Sequence, residues 1–232
     1  MLFVVTGCAT GVPLGAHSTI ARGHLRPFGA PAYARSLPNE EPVASSTVSL
    51  KGGREEIVSL AKSLLGKSAI KVDGKRYPDD CTGLVTALYE QLGVKLTLDA
   101  KPGDNAVTAI YRYAQRHGQV FDSGHPLPGD LVFFHETYDQ NRDGRMNDGL
   151  THIGVVEESL EDGTVLVIHR VKRGVVRYRM NLARKDLRKD PATGQVLNDL
   201  LKAAAPGSRE VLTGQLFSAY GSLLPSASVS QK

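Results

Sequence analysis

A chain of 232 residues, 41% hydrophobic and 22% charged, is long enough to bury one sizeable core and does not demand two domains. Its net charge of +4 favours anionic surroundings such as phospholipid or cell-wall polymers; the basic residues are scattered and lack a stacking-aromatic pattern, which argues against nucleic acid. Two cysteines in unlike contexts suggest neither a disulfide nor a multi-cysteine zinc site, and no apolar run reaches the roughly 18 residues of a membrane-spanning helix.

Residues 1–8 read as the end of a secretory signal. Leu2, Phe3, Val4 and Val5 are apolar, and Val5-Thr6-Gly7-Cys8 resembles the lipobox of bacterial lipoproteins, which implies a lipid on Cys8 and a membrane-anchored or exported place in the cell envelope. A basic leader region is missing and the apolar part is short, so a plain free or buried cysteine is the other reading. Residues 9–53 are rich in Ala, Ser, Pro and Gly and read as a flexible tether.

Order is predicted from about residue 54. Ile57, Val58, Leu60, Ala61, Leu64 and Leu65 recur at helical spacing before a stop at Gly66. A loop over 67–78 leads to Asp79-Asp80-Cys81-Thr82-Gly83, which heads a second apolar-periodic run, Leu84, Val85, Leu88, Tyr89 and Leu92. A thiol at a helix start meets free amides and the positive end of the helix dipole, which favour thiolate. A third helix is predicted over 106–117, ending at Gly118.

The pattern then turns to strands at 131–134, 151–157, 165–171 and 175–180, joined by turns around Asp162-Gly163 and Arg173-Gly174, which argue an antiparallel meander. Helices followed by such a sheet make the fold class α+β. Residues 183–225 read as a C-terminal helical extension, with helix-like runs at 197–205 and 210–224, and residues 226–232 as a disordered tail.

A cysteine nucleophile needs a base, and the base an orienting partner. His152 and His169 fall on neighbouring predicted strands within a residue or two of each other. Sharing a face requires a turn register the sequence leaves open. His117, His125 and His135 lack such context and read as surface or loop residues.

Asp80-Cys81-Thr82-Gly83-Leu84-Val85, Pro128-Gly129-Asp130-Leu131-Val132-Phe133-Phe134, His152-Ile153-Gly154-Val155-Val156 and His169 together resemble the ordered signature of the NlpC family of bacterial cell-wall cysteine peptidases. Over residues 54–182 the resemblance implies a papain-like fold that cleaves peptide stems of peptidoglycan, commonly beside a D-configured glutamyl residue. It implies Cys81 as nucleophile, His152 as base and His169 as orienter, with no cofactor required for the chemistry. A Tyr-Gly-Gly-like segment usual upstream of the cysteine is replaced by Ile70-Lys71-Val72-Asp73. Tyr77 is the nearest substitute in the oxyanion site, beside the backbone amide of Cys81. Two other readings remain open: an amidohydrolase of the CHAP type or an acyltransferase using the same thiol, and a non-catalytic lipoprotein that binds a wall or protein partner.

Between two strands, Asp139, Asn141, Asp143, the carbonyl of Arg145 and Asn147 stand at calcium-loop positions with Gly144 at the bend, while position twelve is Leu150 instead of glutamate. Asp148 is the nearest replacement ligand. A structural calcium ion and a plain acidic turn are the alternatives.

Overall fold

A computed structural model describes residues 53–202 and 210–225, so Cys8 and the stretches read from the sequence as signal, tether (up to residue 52) and tail lie outside the described residues. Helix α1, Gly53–Ser63, carries Glu55 and Glu56 in its first turn and Lys62 in its last, complementing the helix dipole. Its chain leaves at Gly66, whose φ of 78° suits glycine. A small hairpin, β1 Lys71–Val72 and β2 Lys75–Arg76, replaces the predicted loop; Asp73 and Gly74 hold its turn at positive φ.

Helix α2, Cys81–Glu90, and helix α3, Ala106–His117, fall where the apolar spacing places them. Asp80 caps α2 by accepting from the Gly83 amide, and Asn105 caps α3 by accepting from that of Thr108, each satisfying a donor left free at a helix start.

After β3, Gln119–Phe121, come the four strands of the meander: β4 Leu131–His135, β5 Leu150–Ser159, β6 Thr164–Val171 and β7 Gly174–Asn181. All are antiparallel, in the order the turns predict.

The C-terminal part differs from its predicted form. Instead of helices it contributes β8 Leu200–Lys202, β9 Val211–Leu212, a single helical turn α4 Thr213–Leu216, and β10 Phe217–Ser222. Strand β10 inserts between β3 and β4, giving a six-stranded sheet of order β3-β10-β4-β5-β6-β7. The residues read as helical are recruited because β4 would otherwise leave an edge of unpaired backbone groups, and tertiary pairing overrides local propensity.

The sheet separates two cores. On one face Leu131, Phe133, Ile153, Val155 and Ile168 pack with the helices through Ile57, Leu84, Leu88 and Ile110. On the other Val132, Phe134, Val165, Val167 and Met180 pack with Leu216 and Tyr220. Period-2 alternation along each strand sends neighbouring residues to opposite cores. The fold is therefore α+β, with its C-terminus built into the sheet.

Arg54 ties the start of α1 to the residues that follow β10 and to the turn before β4. Its guanidinium donates to the carboxylate of Asp130, the hydroxyl of Ser222 and the carbonyls of Pro128, Leu224 and Pro225. Among the described residues no helix is long and apolar enough to cross a membrane.

Candidate active site

Cys81 is the first residue of α2, directly after the Asp80 cap. The cap fixes the helix start: one oxygen of Asp80 accepts from both the Gly83 amide and the Thr82 hydroxyl at 2.8 Å. Gly83 admits the preceding chain, since a Cβ there would lie 1.9 Å from the carbonyl oxygen of Pro78. The turn before α2 can thus fold tightly over it and hold the thiol against the sheet.

His152 and His169 meet as the strand pattern anticipates, and the register explains how. His169 stands opposite Gly154, so His152 is its diagonal neighbour on the same face. The Nε2 of His152 lies 2.7 Å from the Nδ1 of His169, with ring centroids 5.0 Å apart. A Cβ at Gly154 would sit 3.0 Å from the Cβ of His169 and 2.8 Å from a methyl of Val167; glycine there clears the diagonal. His169 is fully buried against the ring of Tyr178 at 4.5 Å. Its Nε2 is buried without a protein partner.

Thiol and imidazole share a cleft of about 480 Å³ whose lining includes Cys81, His152, Tyr138, Arg170, Lys172 and Leu201. Two larger cavities, of about 750 and 700 Å³, lie around Arg54 and hold no thiol. The backbone amides of Ile153, next to His152, and of Cys81 and Thr82 lie near enough to the sulfur to favour its charged form, which places Cys81 beside the strand that carries the imidazole.

The electrostatics correct one expectation. Burial pushes the Cys81 thiol up to about 11, outweighing the three amides, and the Asp80 charge adds to the rise. Desolvation of a charged sulfur here exceeds what the helix start supplies. Burial likewise lowers His152 to about 4, and burial, with help from the charges of His152 and Arg173, holds His169 well below the ordinary histidine value. The resting pair is a neutral thiol and a neutral imidazole.

This burial predicts an acid-sensitive fold. Above pH 6.5, the ordinary histidine value, folded and unfolded chains both keep His152 neutral. As pH falls towards about 4, the unfolded chain gains a proton that the folded chain refuses, so stability falls by up to roughly 3 kcal/mol for this group. His169 acts in the same direction. Denaturant unfolding across this window measures the loss, and a stability independent of pH there would contradict neutral burial.

Tyr77 is not at the site. Its hydroxyl donates to Glu90 at 2.9 Å, at the opposite end of α2, because the β1–β2 hairpin carries it there. Of the predicted oxyanion donors, the Cys81 amide alone lies at the thiol. Tyr138 stands in the cleft instead, half-exposed.

In the 139–150 loop the side-chain oxygens are engaged by backbone amides. Asp139 accepts from Asp143 and Gly144, Asn141 from Asp143, Asp143 from Arg145, and Asp148 from Gln140 and Asn141. Among the described residues no group of three or more His, Cys, Asp or Glu side chains is arranged to hold a metal ion.

Sequence reasoning missed Tyr138, Arg170, Lys172 and Leu201 as cleft residues. An acid directly before a helix was the available signal for the Asp80 cap; the others come together only through the fold.

These features define a thiol–imidazole site at a helix start against an antiparallel sheet. A family model described as the CHAP domain matches residues 72–170, a stretch that holds Cys81, His152 and His169. CHAP is a hydrolase domain of the cysteine and amidase type, related to NlpC and papain-like peptidases. The match thus falls on the related family weighed as an alternative, and the narrower NlpC resemblance is not shown by it. No curated protein matches the chain.

Proposed function

We propose that this chain is a cysteine hydrolase that cuts the peptide part of bacterial peptidoglycan, as an endopeptidase or amidase, through an acyl-enzyme on Cys81. The observation that carries the reading is the pairing of a capped helix-start thiol with the His152–His169 diagonal in one cleft, within a CHAP-domain match. A papain-like arrangement is consistent with this layout.

In this mechanism neutral His152 takes the thiol proton on Nδ1, the ring nitrogen left free by the bond to His169, as sulfur attacks the scissile carbonyl. Accepting that proton requires His152 to donate from Nε2 to Nδ1 of His169, which fixes the tautomers of both rings. The charge formed on His152 is then stabilised through this bond, making His169 a positioning residue. The Cys81 amide faces the developing oxyanion. His152 returns its proton to the leaving amine, and water hydrolyses the thioester.

Incubating the protein with peptidoglycan and weighing the soluble products tests the reading. Stem-peptide fragments are expected, and their masses identify the bond. An acyltransferase would give products joined to a new acceptor, and a non-catalytic lipoprotein would give none. The same reading places the chain at the cell envelope, with a lipid on Cys8 as its membrane contact.

The chemistry needs no cofactor. Calcium at the 139–150 loop is a further proposal, resting on ligand spacing alone. Thermal unfolding with added calcium is expected to shift up by a few degrees; identical curves without bound metal would exclude it.

A further inference from the structure

The wall of the cleft carries two cations that the proposed mechanism does not use. Arg170, near the end of β6, and Lys172, in the following turn, line the cleft with Cys81 and His152. Neither joins an ion pair among the described residues, whereas Arg54, Arg112, Arg116, Arg177 and Arg184 all have carboxylate partners. Arg170 donates from Nη2 to the carbonyl of Ser68 at 2.9 Å, which tethers the guanidinium. Its Nε is buried without an acceptor, so a ligand in the cleft meets the guanidinium at its Nη end.

Acids of the cleft do not neutralise these cations. Asp79 accepts from the Arg76 guanidinium and the Ile70 amide, and Asp80 is committed to capping α2. Arg170 is the last and smallest of the influences holding the Asp79 carboxyl low. The cleft therefore has an acid side on which Asp79 is paired and Asp80 caps α2 through one oxygen, and a basic side whose cations have no carboxylate partner among the described residues.

We infer that Arg170 and Lys172 form a carboxylate subsite that reads a free carboxylate on the residue beside the scissile bond. Arginine's planar fork matches a carboxylate in two parallel hydrogen bonds, and lysine adds a mobile point charge. The inference rests on the proposed peptidoglycan reading for its substrate class. A γ-linked D-glutamyl residue keeps its α-carboxylate, whereas an amidated stem has lost it. The cleft volume suits a few residues of such a peptide.

Binding separates this inference from the hydrolase reading. The full chain bearing Cys81→Ala, which removes the attacking sulfur, is titrated with two short γ-D-glutamyl peptides, identical except that one carries a carboxylate and the other a carboxamide. The carboxylate peptide should bind about tenfold tighter, the scale of one charge-assisted contact, and the difference should shrink with added salt. Lys172→Met, at an exposed position, should cut the preference at least threefold (roughly, for one surface charge) and leave carboxamide binding unchanged. Arg170→Met should abolish the preference, and Arg170→Lys should restore part of it. Equal binding of the two peptides, binding of neither, or a preference that survives both Lys172→Met and Arg170→Met would overturn the subsite. A parent protein that cleaves neither peptide, while its Cys81→Ala form shows the preference, would instead refute the hydrolase reading alone.

Discussion

Cys81→Ala is expected to abolish release of stem-peptide fragments, with a fall in kcat of roughly 10⁴-fold or more, because no other group replaces a missing nucleophile. His152→Ala should cost about 10² to 10⁴-fold, the usual contribution of a positioned base. Cys8→Ala should leave hydrolysis unchanged, since the mechanism requires one thiol. Cys81 is a small residue at a helix end whose cap belongs to Asp80, so Cys81→Ala should fold normally and isolate the chemistry. Fragment release by mass analysis gives the rates, and equal release by the Cys81 variant would refute the acyl-enzyme. Because the resting pair is neutral, the thiolate ultraviolet absorbance of the parent at neutral pH should match that of Cys81→Ala. Activity should hold until the pH falls towards about 4, where His152 takes up a proton.

Ending the chain at Lys202 is expected to unfold it. The lost segment buries Leu212, Leu216, Ala219, Tyr220 and Leu224. At about 1.5–3 kcal/mol for each large apolar side chain, the loss is on the order of 10 kcal/mol, comparable with the whole net stability of a domain, about 5–15 kcal/mol. Truncation would also strip β4 of its β10 partner and Arg54 of its acceptors at Ser222, Leu224 and Pro225. Circular dichroism during urea titration should show no cooperative transition. A truncated chain that unfolds cooperatively with an unchanged midpoint would mean that the C-terminal segment is an appendage, as the predicted helical extension implied.

The contrast between these two predictions shows what could be read without the fold. Helices α2 and α3 carry their own apolar spacing and caps, and the meander β4 to β7 carries alternation broken by Asp-Gly and Arg-Gly turns; both patterns are local. Cys81 and His152 were legible because each sits at a marked point of such an element. Residues 210–224 were misread because their apolar spacing suits a helix, and the edge of β4 that recruits them lies some eighty residues earlier. Tyr77 was misplaced for a related reason: a two-stranded hairpin inside a presumed loop carries its hydroxyl to Glu90.

By itself the sequence determined the helix start that presents Cys81, the α+β order of elements, and the histidines able to meet it, because caps, periodicity and turn chemistry act over a few residues. Tertiary structure alone decided the register that puts His152 and His169 in diagonal contact across Gly154, the strand that closes the sheet, and the cations that line the thiol's cleft. It also reversed the expected charge state of Cys81. A helix dipole acts within one turn, whereas desolvation depends on everything packed around the sulfur, and in this fold that burial prevails.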